Sequence, residues 1–208
     1  MQIYRNPLDN IVPQPAEGCF PEYSPYSASR HPALEQAVPF LEALLAQANH
    51  SHYLEIRAIT PQKEITQHYH RVGDLFDKGM ATALPLHLDG QANIYYGVCP
   101  RTREEGKASA VEIATAIWFD EIRKPAPDLP PFSWMVQTST GKVQGGYFLK
   151  QPTRNLERVE RLNRRLAAAV GGDNVGDRAR VLRLPGFINC KYKGERSHLL
   201  ELHPGGAL

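Results

Sequence analysis

The amino-acid sequence predicts an α/β domain with a mixed or antiparallel sheet. Two segments, His31 to Asn49 and Asn155 to Val170, carry apolar residues at helical spacing. Between and after them lie short alternating or β-branched segments, which are typical of strands. The predicted order is helix, strand, strand, helix, and then strands interrupted by one long helix, an order that indicates a sheet packed against helices.

The limits of the folded domain follow from length and composition. The chain has 208 residues, of which 42% are hydrophobic, enough to bury a substantial core. Residues 1–30 are rich in proline and predict an extended N-terminal arm, and residues 205–208 are typical of the start of a linker. We therefore expect one domain over residues 31–204, followed by more chain in the full protein.

Composition also bears on location and redox chemistry. No apolar run approaches the ~20 residues of a membrane span, and the N-terminus lacks a signal-peptide layout. A cytoplasmic protein with no membrane partner is expected. Cys19, Cys99 and Cys190 are scattered and predict free thiols. The net charge of +2 is too small to indicate nucleic-acid binding by itself, but residues 142–196 are clearly basic.

Each element has its own signal. Pro32 suits the first turn of the first helix, whose predicted core face is Leu34, Val38, Leu41, Leu44 and Leu45. Residues 51–59 alternate in polarity and predict a half-buried strand with Glu55 and Arg57 on its polar face. The other predicted elements are strands at 64–70, 93–98, 117–122, 132–137, 181–184 and 198–203, with a helix at 73–84. In the long helix the core stripe is Leu156, Val159, Leu162 and Leu166, and Gly171 with Gly172 ends it.

Two pairs of histidines, His50 with His52 and His68 with His70, have a spacing that suits a metal site. No cysteine or carboxylate accompanies them at ligand spacing. Surface histidines are therefore the favoured interpretation.

Carboxylates and arginines concentrate in residues 173–191. Asp173 and Asp177 are candidate ligands of a divalent cation, because hard cations take oxygen ligands together with water and phosphate. Four cations lie close by in sequence: Arg178, Arg180, Arg183 and Lys191. This combination suits a site where a metal meets a polyphosphate. The alternative is a strand with surface ion pairs, which are common and individually weak.

The same segment carries a family resemblance. Its run ARVLRLPGFINCK follows an aspartate and turns at Pro185 and Gly186, after which Asn189 and Lys191 emerge. This pattern resembles the third motif of RepB-like plasmid primases and related primase-polymerases of the archaeo-eukaryotic primase superfamily. The resemblance covers roughly Tyr53 to His203. It implies an RRM-like palm with an N-terminal α/β unit, and a nucleotidyltransferase that uses Mg²⁺ or Mn²⁺.

The first motif of this superfamily is a pair of acidic residues two apart on a strand. Asp120 fits the first position, but the second position is Ile122. Glu121 lies between them and would point to the opposite face of a regular strand, unless a bulge redirects it.

The second motif falls on the predicted hairpin at residues 138–149. Hydroxyls, glycines and a lysine suit a phosphate-binding turn, although similar hairpins often bind nothing. The resemblance implies contact with the nucleotide triphosphate by Ser139, Lys142 and Gln144, where the family has histidine or glutamine at the last position.

The resemblance thus implies a full site. Asp120 and Asp177 would act with Glu121 in catalysis, and Asp120, Asp177 and Asp173 would bind the metal. The nucleotide-binding residues would be Ser139, Lys142, Gln144, Arg180, Arg183, Asn189 and Lys191, and candidate stacking platforms are Tyr95, Tyr147 and Tyr192. The implied partners are single-stranded DNA, NTP or dNTP, and a helicase on the same or another chain; the isolated domain is expected to be a monomer.

Two other functions stay open at this point. The missing second carboxylate is also compatible with a catalytically silent module that binds an origin or single-stranded DNA and recruits a helicase. A nicking enzyme would need a histidine pair and a tyrosine, which only residues 68–70 offer. Their position before the predicted catalytic strands argues against it.

Overall fold

The computed structural model describes residues 31–191 and 194–204. The predicted arm, the predicted linker, Cys19 and Tyr192 lie outside the described residues. Within the described ranges, no helix is both long and apolar enough to cross a membrane.

The described chain contains three helices and ten strands. The helices are α1 (Pro32–Leu45), α2 (Val72–Lys78) and α3 (Leu156–Val170). The strands are β1 (Tyr53–Ile59), β2 (Ile65–Arg71), β3 (Asn93–Gly97), β4 (Ala114–Phe119), β5 (Trp134–Ser139), β6 (Lys142–Thr153), β7 (Val181–Arg183), β8 (Ile188–Asn189), β9 (Glu195–Arg196) and β10 (His198–Leu202). Three short 3₁₀ turns complete the set, at Met80–Ala83, Leu86–Leu88 and Ala108–Ala110.

The strands form two four-stranded sheets and one two-stranded ribbon. The first sheet has the order β2-β1-β3-β7, the second has the order β10-β5-β6-β4, and β8 pairs with β9. All pairings recorded between these strands are antiparallel. The predicted fold class is confirmed, with the strands divided between two sheets.

Helix α1 packs against both sheets. The Phe40 ring makes edge contacts with Tyr96 of the first sheet and Trp134 of the second, at 5.0 and 5.4 Å between ring centroids. The buried face of α1 is centred on Ala33, Ala37 and Phe40, whereas the predicted core residues Leu34 and Val38 are only partly buried. A helix that contacts two sheets buries a wider face than a single sheet requires.

Two predicted boundaries were wrong. The helix expected at 73–84 ends at Lys78, because Gly79 adopts φ +93° and only a 3₁₀ turn follows it. The strand expected at 117–122 ends at Phe119, so Asp120 follows the strand.

Helix α3 agrees with its prediction and leads the chain toward Asp120. Its N-cap Asn155 accepts a hydrogen bond from the Arg158 N–H at 3.1 Å, and Gly171 ends it with φ +70°. Two residues later, the Asp173 N–H donates to the Asp120 carbonyl at 3.0 Å. The end of α3 and the end of β4 therefore meet.

The two described cysteines are free thiols. Cys99 is fully buried, and burial raises its pKa to about 12, so it is unreactive at neutral pH. His68 and His70 lie on the outer strand β2.

Candidate active site

A polar cleft of about 240 Å³ lies between the ends of the two sheets. Many of the residues singled out in the sequence border it. Its lining consists of Tyr95, Asp120, Glu121, Thr138, Lys142, Gln144, Asp173, Val181, Leu182, Arg183, Asn189 and Lys191. The chain thus brings residues from β3, β5, β6, β7 and β8 and from the loops after β4, α3 and β8 to one place.

The first motif has an unexpected shape at this cleft. Glu121 adopts φ +66°, a left-handed conformation that non-glycine residues rarely take. Because the chain leaves the strand at this residue, Glu121 borders the cleft beside Asp120. Ile122 then turns into the hydrophobic core, where it is 7% exposed. The pair of acidic residues at the cleft is therefore Asp120 with Glu121, and the position of the expected second carboxylate is occupied by a core residue.

Gly172 permits this geometry. A Cβ atom at Gly172 would lie only 2.3 Å from the Glu121 carbonyl oxygen and 2.6 Å from the Asp120 carbonyl oxygen. Any side chain would therefore force the two backbones apart and would move Asp173. The sequence marked Gly172 only as part of a helix stop, so this role was missed.

The carboxylates of the cleft affect one another. Burial and the neighbouring charge of Asp173 raise the pKa of Asp120, and Arg180 and Arg183 only partly offset them. Arg123, which the sequence did not single out, contacts two of the carboxylates. One of its terminal nitrogens lies 2.5 Å from a Glu121 oxygen and 2.6 Å from an Asp173 oxygen.

Cations border the same cleft. The Lys142 ammonium is 3.7 Å from Glu121. The Arg183 guanidinium lies over the Tyr95 ring at 5.0 Å and donates to the Tyr95 hydroxyl at 3.1 Å. Asn93 also accepts from Arg183, at 2.9 Å. Together with Lys191, these groups border the cleft beside the carboxylates. We call the set of carboxylates the acidic side of the cleft and the set of cations its basic side.

Gln144 connects the two sheets, and Asn189 connects the ribbon to the second sheet. The Gln144 amide donates to the Arg183 carbonyl at 2.5 Å and accepts from the Arg183 N–H at 3.1 Å. Strand β7 is the outer strand of the first sheet, so this side chain occupies the backbone groups that a further strand would use. Asn189 similarly donates to the Thr138 carbonyl at 2.8 Å.

Three predicted site residues do not line the cleft. Asp177 pairs with Arg180 at 2.5 Å and borders a separate small cleft with Glu160 and Arg164. Arg180 still lies near enough to Asp120 for its positive charge to offset part of the rise in the pKa of Asp120. Ser139 is buried, at 4% exposure.

The hairpin turn itself is held by an acidic residue. The Glu195 carboxylate accepts hydrogen bonds from the Thr140 N–H at 2.6 Å and from the Thr140 hydroxyl at 3.1 Å. Of the proposed stacking residues, Tyr95 borders the cleft. Tyr147 is buried, and its hydroxyl donates to the Pro130 carbonyl at 2.6 Å, so its ring is not available as a stacking platform.

A buried ion pair supports the segment before β7. Glu55 was expected on a polar face, yet it is fully buried with Arg101, 2.7 Å away. Burial opposes ionisation of Glu55, but Arg101 and Arg57 outweigh it and hold its pKa below the ordinary value. Arg101 also donates to the Ala179 carbonyl at 2.9 Å, which fixes the chain just before Arg180.

Three solved structures of primases are similar to this chain in fold. The archaeo-eukaryotic primase domain of the cyanophage S-2L primase-polymerase has 18% identity and a TM-score of 0.57, covering 81% of this chain and 93% of that one. The catalytic domain of primase RepB′, solved in complex with initiator DNA, has 16% identity and a TM-score of 0.57, covering 82% and 86%. A longer RepB′ structure has 14% identity and a TM-score of 0.56, covering 82% of this chain and 57% of that one. The fold is therefore that of the archaeo-eukaryotic primases.

A family model also matches part of the sequence. Residues 104–201 match the RepB DNA-primase N-terminal domain, and they include the first, second and third motifs. Just under half of this chain therefore matches the model of the RepB primase family, and the resemblance is confirmed. No curated protein matches the sequence.

Proposed function

We propose that this domain is a primase-polymerase, a metal-dependent nucleotidyltransferase that synthesises or extends primers on single-stranded DNA during replication of a plasmid, phage or mobile element. The observation that carries the proposal is the two-sided cleft. Asp120, Glu121 and Asp173 border it together with Lys142 and Arg183. Acidic ligands facing cations are what a metal-bound triphosphate requires.

The acidic side suits Mg²⁺ or Mn²⁺, since oxygen ligands from one or two carboxylates, completed by water and phosphate, are typical of these ions. We assign the ligands to Asp120, Glu121 and Asp173. Asp177, the other candidate, does not border the cleft. A divalent cation bound there supplies positive charge at the phosphates and lowers the pKa of the attacking 3′-hydroxyl.

The basic side has a matching role. Lys142, Arg183 and Lys191 would neutralise the triphosphate, and Arg180 would add to the positive field near Asp120. Gln144 and Asn189 would hold the hairpin and β7 at the spacing that the nucleotide needs. Tyr95, which contacts Arg183, offers an aromatic ring at the cleft for stacking against a base.

The raised pKa of Asp120 fits a metal ligand whose ionised form is disfavoured until a cation binds. Metal binding would relieve the repulsion between Asp120 and Asp173, because a divalent charge between them offsets their negative charges. Metal affinity is then expected to fall as pH decreases and Asp120 takes up a proton.

The test is primer synthesis and extension on single-stranded DNA with Mn²⁺ and labelled nucleotides. We would compare the unmodified domain with Asp120→Ala, Asp173→Ala and Asp177→Ala. Products that disappear in the first two variants and persist in Asp177→Ala support the proposal. Equal loss in Asp177→Ala would return that residue to the metal site, and products that persist in Asp120→Ala would refute the proposed chemistry.

One observation favours a second candidate function. Among the described residues, no three Asp, Glu, His or Cys side chains are grouped closely enough to hold a metal ion, and Arg123 contacts two of the three cleft carboxylates. This arrangement also suits a catalytically silent replication module that binds single-stranded or origin DNA and recruits a helicase. Salt-sensitive DNA binding without nucleotide incorporation would favour it.

A further inference from the structure

Arg123 lies between two carboxylates of the cleft. A single terminal nitrogen of its guanidinium contacts an oxygen of Glu121 at 2.5 Å and an oxygen of Asp173 at 2.6 Å. The two carboxylates come from different loops, one after β4 and one after α3. The positive charge between the two carboxylates offsets their mutual repulsion.

We infer that the Arg123 guanidinium occupies, in the free protein, the cation position between Glu121 and Asp173, and that a divalent cation competes with it for these carboxylates. The inference rests on the proposed function, because it concerns the same metal site. It assigns to Arg123 a role that none of the three motifs contains: setting the affinity of the acidic side for metal.

The surroundings of Arg123 suit a group that can be displaced. Its side chain is 51% exposed, so the guanidinium can leave the carboxylates and remain hydrated. Its backbone is fixed independently of the side chain, because the Arg123 N–H donates to the Val170 carbonyl at 2.9 Å. Movement of the side chain therefore leaves the loop between β4 and β5 in place at this residue.

The ion pairs divide the three carboxylates of the cleft. Glu121 and Asp173 pair with Arg123 and raise its pKa. Within the described part of the chain Asp120 forms no ion pair, and burial and the charge of Asp173 raise its pKa. A divalent cation would instead interact with all three carboxylates at once.

Lys124 provides a matched control. It is the next residue, its side chain is exposed, and its N–H donates to the same Val170 carbonyl at 3.1 Å. The described residues give Lys124 no ion pair with a carboxylate. Lys124→Gln therefore removes the same charge from the same loop without removing a competitor for Glu121 and Asp173.

The experiment measures Mn²⁺ binding to the unmodified domain, Arg123→Gln and Lys124→Gln by titration calorimetry, without nucleotide or DNA. Two unit charges about 4 Å apart in water change an equilibrium constant about fivefold, and a divalent ion feels more than that. We expect Arg123→Gln to bind Mn²⁺ about five- to tenfold more tightly and Lys124→Gln to bind as the unmodified domain does.

Several results would overturn the inference. Unchanged or weaker binding by Arg123→Gln, with measurable binding by the unmodified domain, would mean that Arg123 orients the carboxylates and does not compete with metal. An equal increase in Mn²⁺ affinity in Lys124→Gln would mean that loss of any positive charge from this loop has the same effect, without competition by Arg123. Absence of Mn²⁺ binding in all three proteins would refute the proposed metal site as well, which distinguishes the two failures.

Discussion

Gln144 offers a sharp test of how the cleft is built. The sequence assigned it to the nucleotide triphosphate, yet in the structure its amide is occupied by the backbone N–H and carbonyl of Arg183. Gln144→Met keeps the length of the side chain and removes both hydrogen bonds. It also leaves two backbone groups of the buried Arg183 without these partners.

The expected magnitude follows from these two bonds. Leaving a buried polar group unpaired costs about 1–3 kcal/mol, so Gln144→Met should lower the free energy of unfolding by about 2–4 kcal/mol. For a domain of this size that corresponds to a decrease in Tm of about 5–15 °C. Gln151→Met is the control: it lies on the same strand, is exposed, and should change stability by less than about 0.5 kcal/mol.

Urea unfolding followed by circular dichroism, without nucleotide, measures both variants. A residue whose main task is to bind triphosphate would change nucleotide affinity and leave the stability of the free domain intact. If Gln144→Met unfolds at the same urea concentration as Gln151→Met, the two hydrogen bonds of Gln144 do not stabilise the contact between the sheets.

Three further predictions concern other parts of the site. Asp120→Asn should raise Tm by about 1–3 °C at pH 7 while abolishing metal-dependent incorporation. Because the pKa of Asp120 is raised, its ionisation opposes folding, so thermal melts should show this gain disappearing as pH falls below the ordinary aspartate pKa. Ile122→Asp would restore the spacing of acidic residues found in the family, but it puts a carboxylate into the core. It should therefore lower the free energy of unfolding, measured in urea, by about 3–5 kcal/mol and add no activity. Increased primer synthesis would refute this. Arg101→Met should lower the free energy of unfolding by about 3 kcal/mol, because it leaves Glu55 buried without its main partner. Since the pKa of Glu55 is lowered in the folded state, the unmodified domain should lose this stabilisation as pH falls. Equal stability of Arg101→Met and the unmodified domain across an acid titration would contradict it.

Local patterns predicted most of the elements. The period of α3, its Asn155 cap and its glycine stop, and the alternation of β1, are properties of residues close in sequence. The two boundary errors fall where the end of an element depended on one backbone angle. Gly79 ended a helix that the apolar pattern would have continued, and Glu121 left a strand that the pattern would have extended.

The candidate site was predicted unevenly for a related reason. Motif residues such as Asp120, Lys142 and Arg183 border the cleft. Asp177 was as good a candidate as Asp173 in the sequence, since both are acidic and lie in one short segment. Only the path of the chain after α3 distinguishes them, because the backbone pairing of Asp173 with Asp120 places one at the cleft and leaves the other outside it.

The sequence by itself determined the fold class, the order of the elements and the family, because these depend on periodicity and on short runs of residues. Only the tertiary structure decided which acidic residues meet. It brought Glu121 to the cleft through a left-handed residue above Gly172, and it placed Arg123 between Glu121 and Asp173. The contact between Arg123 and Asp173 joins residues 50 positions apart. They depend on how β4 and α3 pack, which no local pattern records.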